Sequence, residues 1–231
     1  MLATSPAPFK TFAARWGESF FLGPAHRAER RRQIRLFSIL VAAAVVGKLL
    51  LANVANIEPI LAVSLIGGMV LRRAYVLLVP IVALCLHEVL VTMLFYPGYG
   101  AVRILALSVF LVTGWLLVSL AGTRVRSRVL FRTKTIAIAT AVSVPLTVAW
   151  DVWTAFGNWL TISRYPPYNW SLPVVLEMQV PFTLVHVISS LLFVPLIGFG
   201  MGYYVEHVLA AEEPTASPAS QEGLDLGTET A

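Results

Sequence analysis

The sequence predicts an all-α protein, a polytopic membrane bundle of six transmembrane helices. Two observations carry that reading. Of the 231 residues, 58% are hydrophobic and only 13% charged, against roughly a quarter charged in a soluble domain, and the mean hydropathy is +0.78. The charges are also segregated: basic residues cluster at 27–35, 72–73 and 124–134, and acids follow 206. Between the clusters lie apolar runs of roughly the 17–25 residues that cross a bilayer. This composition excludes a soluble enzyme, a nucleic-acid binder and a secreted disulfide scaffold. The sole cysteine, Cys85, sits inside an apolar run and has no intrachain partner to pair with.

The elements follow in order. Residues 1–35 form a basic amino-terminal segment with no cleavable signal pattern, because the basic stretch comes late and no small-residue cleavage site follows the apolar run. Spans are predicted over 36–53, 59–71, 74–96, 104–121, 135–160 and 180–204, so that 36–205 is the membrane domain. The second span is the shortest. As a helix it rises only ~20 Å, less than the ~30 Å hydrocarbon core. Residues 206–231 are rich in Glu, Pro, Ser, Thr and Gly and are predicted to be a disordered acidic tail. Spans 1–3 and 4–6 share no spacing of polar residues, so no inverted repeat is visible.

Six spans put both termini on one side. Of the 17 Lys and Arg residues, 14 fall in the segments 1–35, 72–73 and 124–134, while Arg103 and Arg164 lie on the other side and Lys48 lies within span 1. The positive-inside rule then places both termini in the cytoplasm of a cell-membrane protein, and it accounts for the pI near 9.7 without nucleic acid.

Ionisable side chains within a span cost about 2.5–3.5 kcal/mol on insertion scales and default to a functional reading. The candidates are Lys48, His87, Glu88, Asp151 and His186. Counting ~1.5 Å of rise per residue puts all of them in the outer half of the membrane, with His186 only ~9 Å below the outer surface. In span 5, Thr147, Asp151, Ala155 and Asn158 fall on one helical stripe flanked by Trp150 and Trp153. The loop predicted over 161–177 carries Arg164, Tyr165, Tyr168, Asn169, Trp170 and Glu177, and the loop after span 1 carries Asn53, Asn56 and Glu58. Aromatic planes with a few directed polar groups suit a small organic solute.

Each residue also has a plainer reading. Lys48 can pair with an acid for packing alone, His87 can be a hydrogen-bonded bundle histidine, and Trp153, Trp159, Tyr165 and Trp170 can form an interfacial belt. Ala43-x-x-x-Gly47 and Gly198-x-x-x-Gly202 are small-residue pairs that let helices approach closely. Catalysis is not expected. No H-E-x-x-H or paired-cysteine spacing points to a metal, Ser189 and Ser190 share a helix with His186 in poor triad geometry, and Asp151 has no second in-span aspartate. No phosphate-cradling loop is present, so the chain is not expected to hydrolyse nucleotide or to carry a cofactor.

The segment Ile57-Glu-Pro-Ile-Leu-Ala-Val-Ser-Leu-Ile-Gly-Gly68, the run Tyr75 to Pro80, His87-Glu88, and Trp150-Asp-Val-Trp153 to Trp159 followed by Val180-Pro-Phe182 resemble the substrate-binding (S) component of energy-coupling-factor vitamin transporters. The resemblance covers about residues 36–205. It implies uptake of a vitamin-like micronutrient, energised by a transmembrane coupling subunit and two cytoplasmic ATPases, with Ala43 and Gly47 as the docking motif on the first helix. It also implies a solute site at the outer helix ends, to which Asp151, Asn158, Asn53, Trp153, Trp159, His87, His186 and Lys48 are assigned. The alternatives are a structural or assembly membrane protein without transport and an intramembrane metal-dependent enzyme.

Overall fold

A computed structural model describes residues 24–51, 59–87, 101–126 and 132–210. Among these there is no strand. Six helices follow in order: α1 (Pro24–Leu50), α2 (Pro59–Val70), α3 (Arg73–His87), α4 (Ala101–Val125), α5 (Thr133–Asn158) and α6 (Leu172–Tyr203). Wider π-helical turns extend α5 over Trp159–Ser163 and α6 over Tyr204–Leu209. Four of the helices are long and apolar enough to cross a membrane: Ala28–Leu50, Leu105–Val125, Thr133–Ser163 and Leu172–Leu209. Leu105, Leu117, Leu184, Ile188 and Leu196 stand exposed on α4 and α6, an apolar exterior that only lipid or another apolar partner satisfies.

The organising element is α2. All 12 of its residues are buried, because α1, α3, α4 and α6 pack around it. Its apolar sequence has no polar face, the mark of a helix buried all round. At ~18 Å it cannot span the bilayer alone. Contact with α4 is made through glycines. A Cβ on Gly68 would lie 2.0 Å from the Ser119 carbonyl oxygen, and one on Gly122 would lie 2.2 Å from that of Leu65.

Successive helices alternate in direction, which sorts the bundle into two ends. One end gathers the start of α1, the α2–α3 junction and the end of α4; it carries the basic clusters. There Arg126 donates from Nε to the Met69 carbonyl at 2.8 Å and from Nη2 to those of Gly68 (3.0 Å) and Leu71. The Gly68 and Met69 carbonyls belong to the last turn of α2, where they have no partner inside the helix, and Leu71 directly follows it, so Arg126 closes that helix end. Gln33, only 6% exposed, accepts from the Arg72 backbone N–H at 2.9 Å and donates to Glu29 at 3.0 Å.

Several boundaries differ from the sequence expectation. α1 starts at Pro24, not Leu36, and takes in the basic run. α6 starts at Leu172, not Val180, so Glu177 stands on a helix and the predicted 161–177 loop shrinks to 164–171. Ser171 in extended conformation with a proline in the first turn, Pro173, is the start signal. Residues 206–210, expected in the disordered tail, continue the helix. The segments 1–23, 88–96 of the third span, and 211–231 lie outside the described residues.

Candidate functional site

The predicted stripe on α5 is turned into the bundle: Thr147, Asp151 and Ala155 are buried and Asn158 partly so. His186, Ser189 and Ser190 are the buried polar residues of α6. Antiparallel packing of α5 on α6 sets Thr147 against Ser190, with the hydroxyl oxygens 2.8 Å apart. One turn further along α5, the pairing falls on Asp151 and His186. His186 Nδ1 lies 2.6 Å from Asp151 Oδ1, with the two side chains 6% and 1% exposed. Gln179, two turns before His186 on α6, donates Nε2 to the same oxygen at 3.2 Å. The carboxylate oxygen therefore joins two positions of α6 to one of α5.

Trp150, the neighbour of Asp151, closes the cluster. Its ring meets the His186 imidazole nearly edge-on, with centroids 5.3 Å apart at 66°. It also stacks on Trp115 of α4 at 5.7 Å and 10°. Gly114 makes room for this: a Cβ there would lie 2.4 Å from Trp150 Cδ1. The exchange is reciprocal, since Gly157 of α5 lies under Phe110 of α4, whose Cγ would be 2.3 Å from a Cβ.

Among the described residues, Asp151 Oδ2, His186 Nε2, Trp115 Nε1 and Trp150 Nε1 are buried with no hydrogen-bond partner. Buried polar atoms are nearly always matched, and each one left unmatched costs about 1–3 kcal/mol. Here four belong to one run of touching side chains across three helices. Together they present two indole donors, a carboxylate acceptor and an imidazole nitrogen that accepts or donates according to its protonation. Such a set can hydrogen-bond a polar group. Among the described residues, no three His, Cys, Asp or Glu side chains are gathered as a metal site.

The expected site residues divide. Asp151 and His186 are joined. His186 lies further along its helix than expected, because α6 starts earlier: it is ~21 Å from Leu172. Asn158 ends α5 at the edge of the stripe. Trp153 and Trp159 are not part of the cluster. Trp153, 39% exposed, donates its indole N–H to Thr113 Oγ1 at 3.0 Å and packs on Phe110. Trp159 donates to the Trp170 carbonyl at 3.2 Å, and the Arg164 guanidinium sits 5.9 Å from its ring; both tryptophans belong to an outward aromatic belt. Lys48 is partly buried in the last turn of α1. Asn53 lies outside the described residues, as does the side chain of His87, the last residue of α3.

The expected docking motif is used within the chain. A Cβ on Gly47 would lie 3.2 Å from Pro59 Cγ, and Ala43 packs on the core. These residues touch the neighbours of α1 and are themselves partly exposed. Gly198 likewise faces Ile136, which a Cβ would meet at 3.4 Å.

Residues 28–212 match a family described as being of unknown function, DUF6580. The chain belongs to the DUF6580 family. The match takes in both the Asp151–His186 cluster and the basic end, so both lie in the part of the chain that defines DUF6580. Comparison with curated proteins and with solved structures gives no match. Trp150, Trp115 and Gln179 are the members of the cluster that sequence reasoning did not assign to it. For Trp115 a signal exists: it stands in mid-span, away from the interfacial depth where tryptophan normally collects.

Proposed function

We propose that this DUF6580 protein is the membrane-embedded solute-binding subunit of an uptake system for a small organic micronutrient. The observation that carries the reading is the buried Asp151–His186 pair, whose outward atoms Oδ2 and Nε2 are unmatched beside two indole N–H groups. An ionisable pair inside a membrane is costly and rarely retained for packing. A solute that accepts from the indoles and donates to the carboxylate removes the unmatched atoms, and the stacked tryptophans favour a planar, neutral or cationic one. The basic end faces the cytoplasm on the positive-inside rule, so solute enters from the opposite end. Binding alone does not drive uptake; a separate coupling subunit and ATPases supply the energy. That subunit docks on an apolar face, either the partly exposed Ala43–Gly47 stripe or the exposed ridge Leu184–Ile188 of α6.

The interhelical pairs Asp151–His186 and Thr147–Ser190 also favour a second reading, in which the chain is an assembly protein and the polar cluster fixes helix register. One experiment separates them. The protein is extracted in mild detergent from cells grown in rich medium and analysed by native mass spectrometry beside its Asp151→Asn variant. A small organic adduct on the wild type that is lost in the folded variant supports the solute carrier. Bare protein in both overturns it.

A further inference from the structure

The basic end holds a cavity separate from the polar cluster. It measures about 190 Å³ and is lined by Glu29, Arg32, Gln33, Arg72 and Arg126 over a floor of Leu36, Val70 and Val205. It is large enough for several waters at ~30 Å³ each, or for one tetrahedral oxyanion with its ester substituent. The three arginines come from three separate basic clusters of the sequence, 27–35, 72–73 and 124–134. The positive-inside rule asks only that such clusters lie on one side; it does not ask that one guanidinium from each line the same cavity.

The charge within the cavity is not balanced. Three guanidiniums face one carboxylate, and that carboxylate is engaged: Glu29 Oε1 lies 3.2 Å from Arg72 Nε and accepts from Gln33. Arg32 Nε is buried with no hydrogen-bond partner among the described residues. Burial and the neighbouring Arg72 both hold the Arg126 guanidinium below its ordinary value, the effect expected of a cation crowded by another cation. A doubly charged surplus over an apolar floor, at the depth where helices leave the membrane, matches a phosphate oxyanion. Guanidinium forks bind phosphate through paired, charge-assisted hydrogen bonds, and basic pockets between helices on that side receive anionic headgroups.

We propose that this cavity binds a phosphate ester or phosphate ion, with Arg32 and Arg72 as the donors, Arg126 as a fixed positive wall and Glu29 as the group that limits affinity. The chemistry is common to an anionic phospholipid headgroup and to soluble phosphate, and the test has an arm for each. Full-length protein in a neutral detergent is titrated with phosphatidylglycerol, with phosphatidylcholine and with inorganic phosphate. Adducts are followed by native mass spectrometry and stability by thermal melting. One saturable phosphatidylglycerol adduct that phosphatidylcholine does not displace identifies a lipid headgroup. A saturable rise in melting temperature with inorganic phosphate and no lipid adduct identifies the soluble ion.

In either case Arg32→Gln weakens binding about tenfold or more, the loss of a charge-assisted hydrogen bond. Glu29→Gln tightens binding, which a merely structural role for Glu29 does not predict. Should Arg32→Gln fail to fold, Glu29→Gln alone decides. No response to either anion, or equal affinity in wild type, Arg32→Gln and Glu29→Gln, overturns the proposal.

Discussion

Gly68 of α2 and Gly122 of α4 meet with no side chain between them: a Cβ on Gly68 would lie 2.9 Å from the Gly122 Cα. Close approach of small residues is how helices associate where lipid removes the hydrophobic drive. Here it brings α4 onto the fully buried helix α2. Gly68→Ala or Gly122→Ala forces backbone apart, since the nearest obstacles are carbonyl oxygens. Each is expected to cost about 2–3 kcal/mol, read as a fall in melting temperature in detergent. Gly47→Ala meets only the Pro59 ring at 3.2 Å and is expected to cost less. Gly200→Ala has nothing within 4 Å, so it leaves stability unchanged or raises it by up to about 1 kcal/mol through helix propensity.

Arg126 holds three carbonyls at the end of α2. Arg126→Gln removes the charge and the fork and is expected to lower stability by about 1–2 kcal/mol, a partly exposed case of a charged hydrogen bond. Arg126→Lys, a point charge without the fork, is expected to fall between the two. Equal melting of all three proteins would show that the α2 end does not need the cap.

Asp151 and His186 are coupled. Asp151→Leu and His186→Leu each leave a buried partner unmatched, so the double variant is expected to be more stable than the two single losses added together predict, by about 0.5–3 kcal/mol. A double-mutant cycle on thermal or denaturant unfolding measures this. By contrast Thr147→Val, which removes one interhelical hydroxyl pair, is expected to cost only about 0.6 kcal/mol.

The two classes of tryptophan separate in binding. Trp150→Phe keeps the ring and deletes an unmatched indole N–H inside the cluster, so solute retention falls while the fold holds. Trp153→Phe deletes an N–H that already serves Thr113, so solute retention stays as in the wild type. The native mass of the extracted protein reports both, and a reversed order would move the site to the outward belt.

The α5 stripe was legible because a 3.6-residue period is written in one stretch of chain: Thr147, Asp151 and Ala155 are as inward as their spacing implies. The pairing of Asp151 with His186 was not, since the register of one helix on another depends on packing, which no local pattern records. The start of α6 is not legible in the sequence, because Pro181 stands inside the helix and polar Glu177 and Gln179 precede the most apolar run. Gln179 proves to be a partner of Asp151. Trp153 stands two residues from Asp151, a turn of ~200° that carries its ring to the far face of α5, and Trp159 lies in the π-helical turn beyond Asn158, where the α-helical period no longer holds. Gly68 and Gly122 sit in different spans, and nothing in either span names the other.

The sheathing of α2 bears on how the chain is made. A helix that shows lipid no side chain gains nothing from entering it first, and one of 12 residues is too short to be threaded and released by itself. Its burial is complete only once α1, α3, α4 and α6 have packed around it, so the segment is expected to enter the membrane paired with a neighbouring helix. Mutations that slow the closing of α4 onto it will then show as poor yield and degradation during synthesis, before any loss of activity in the finished protein.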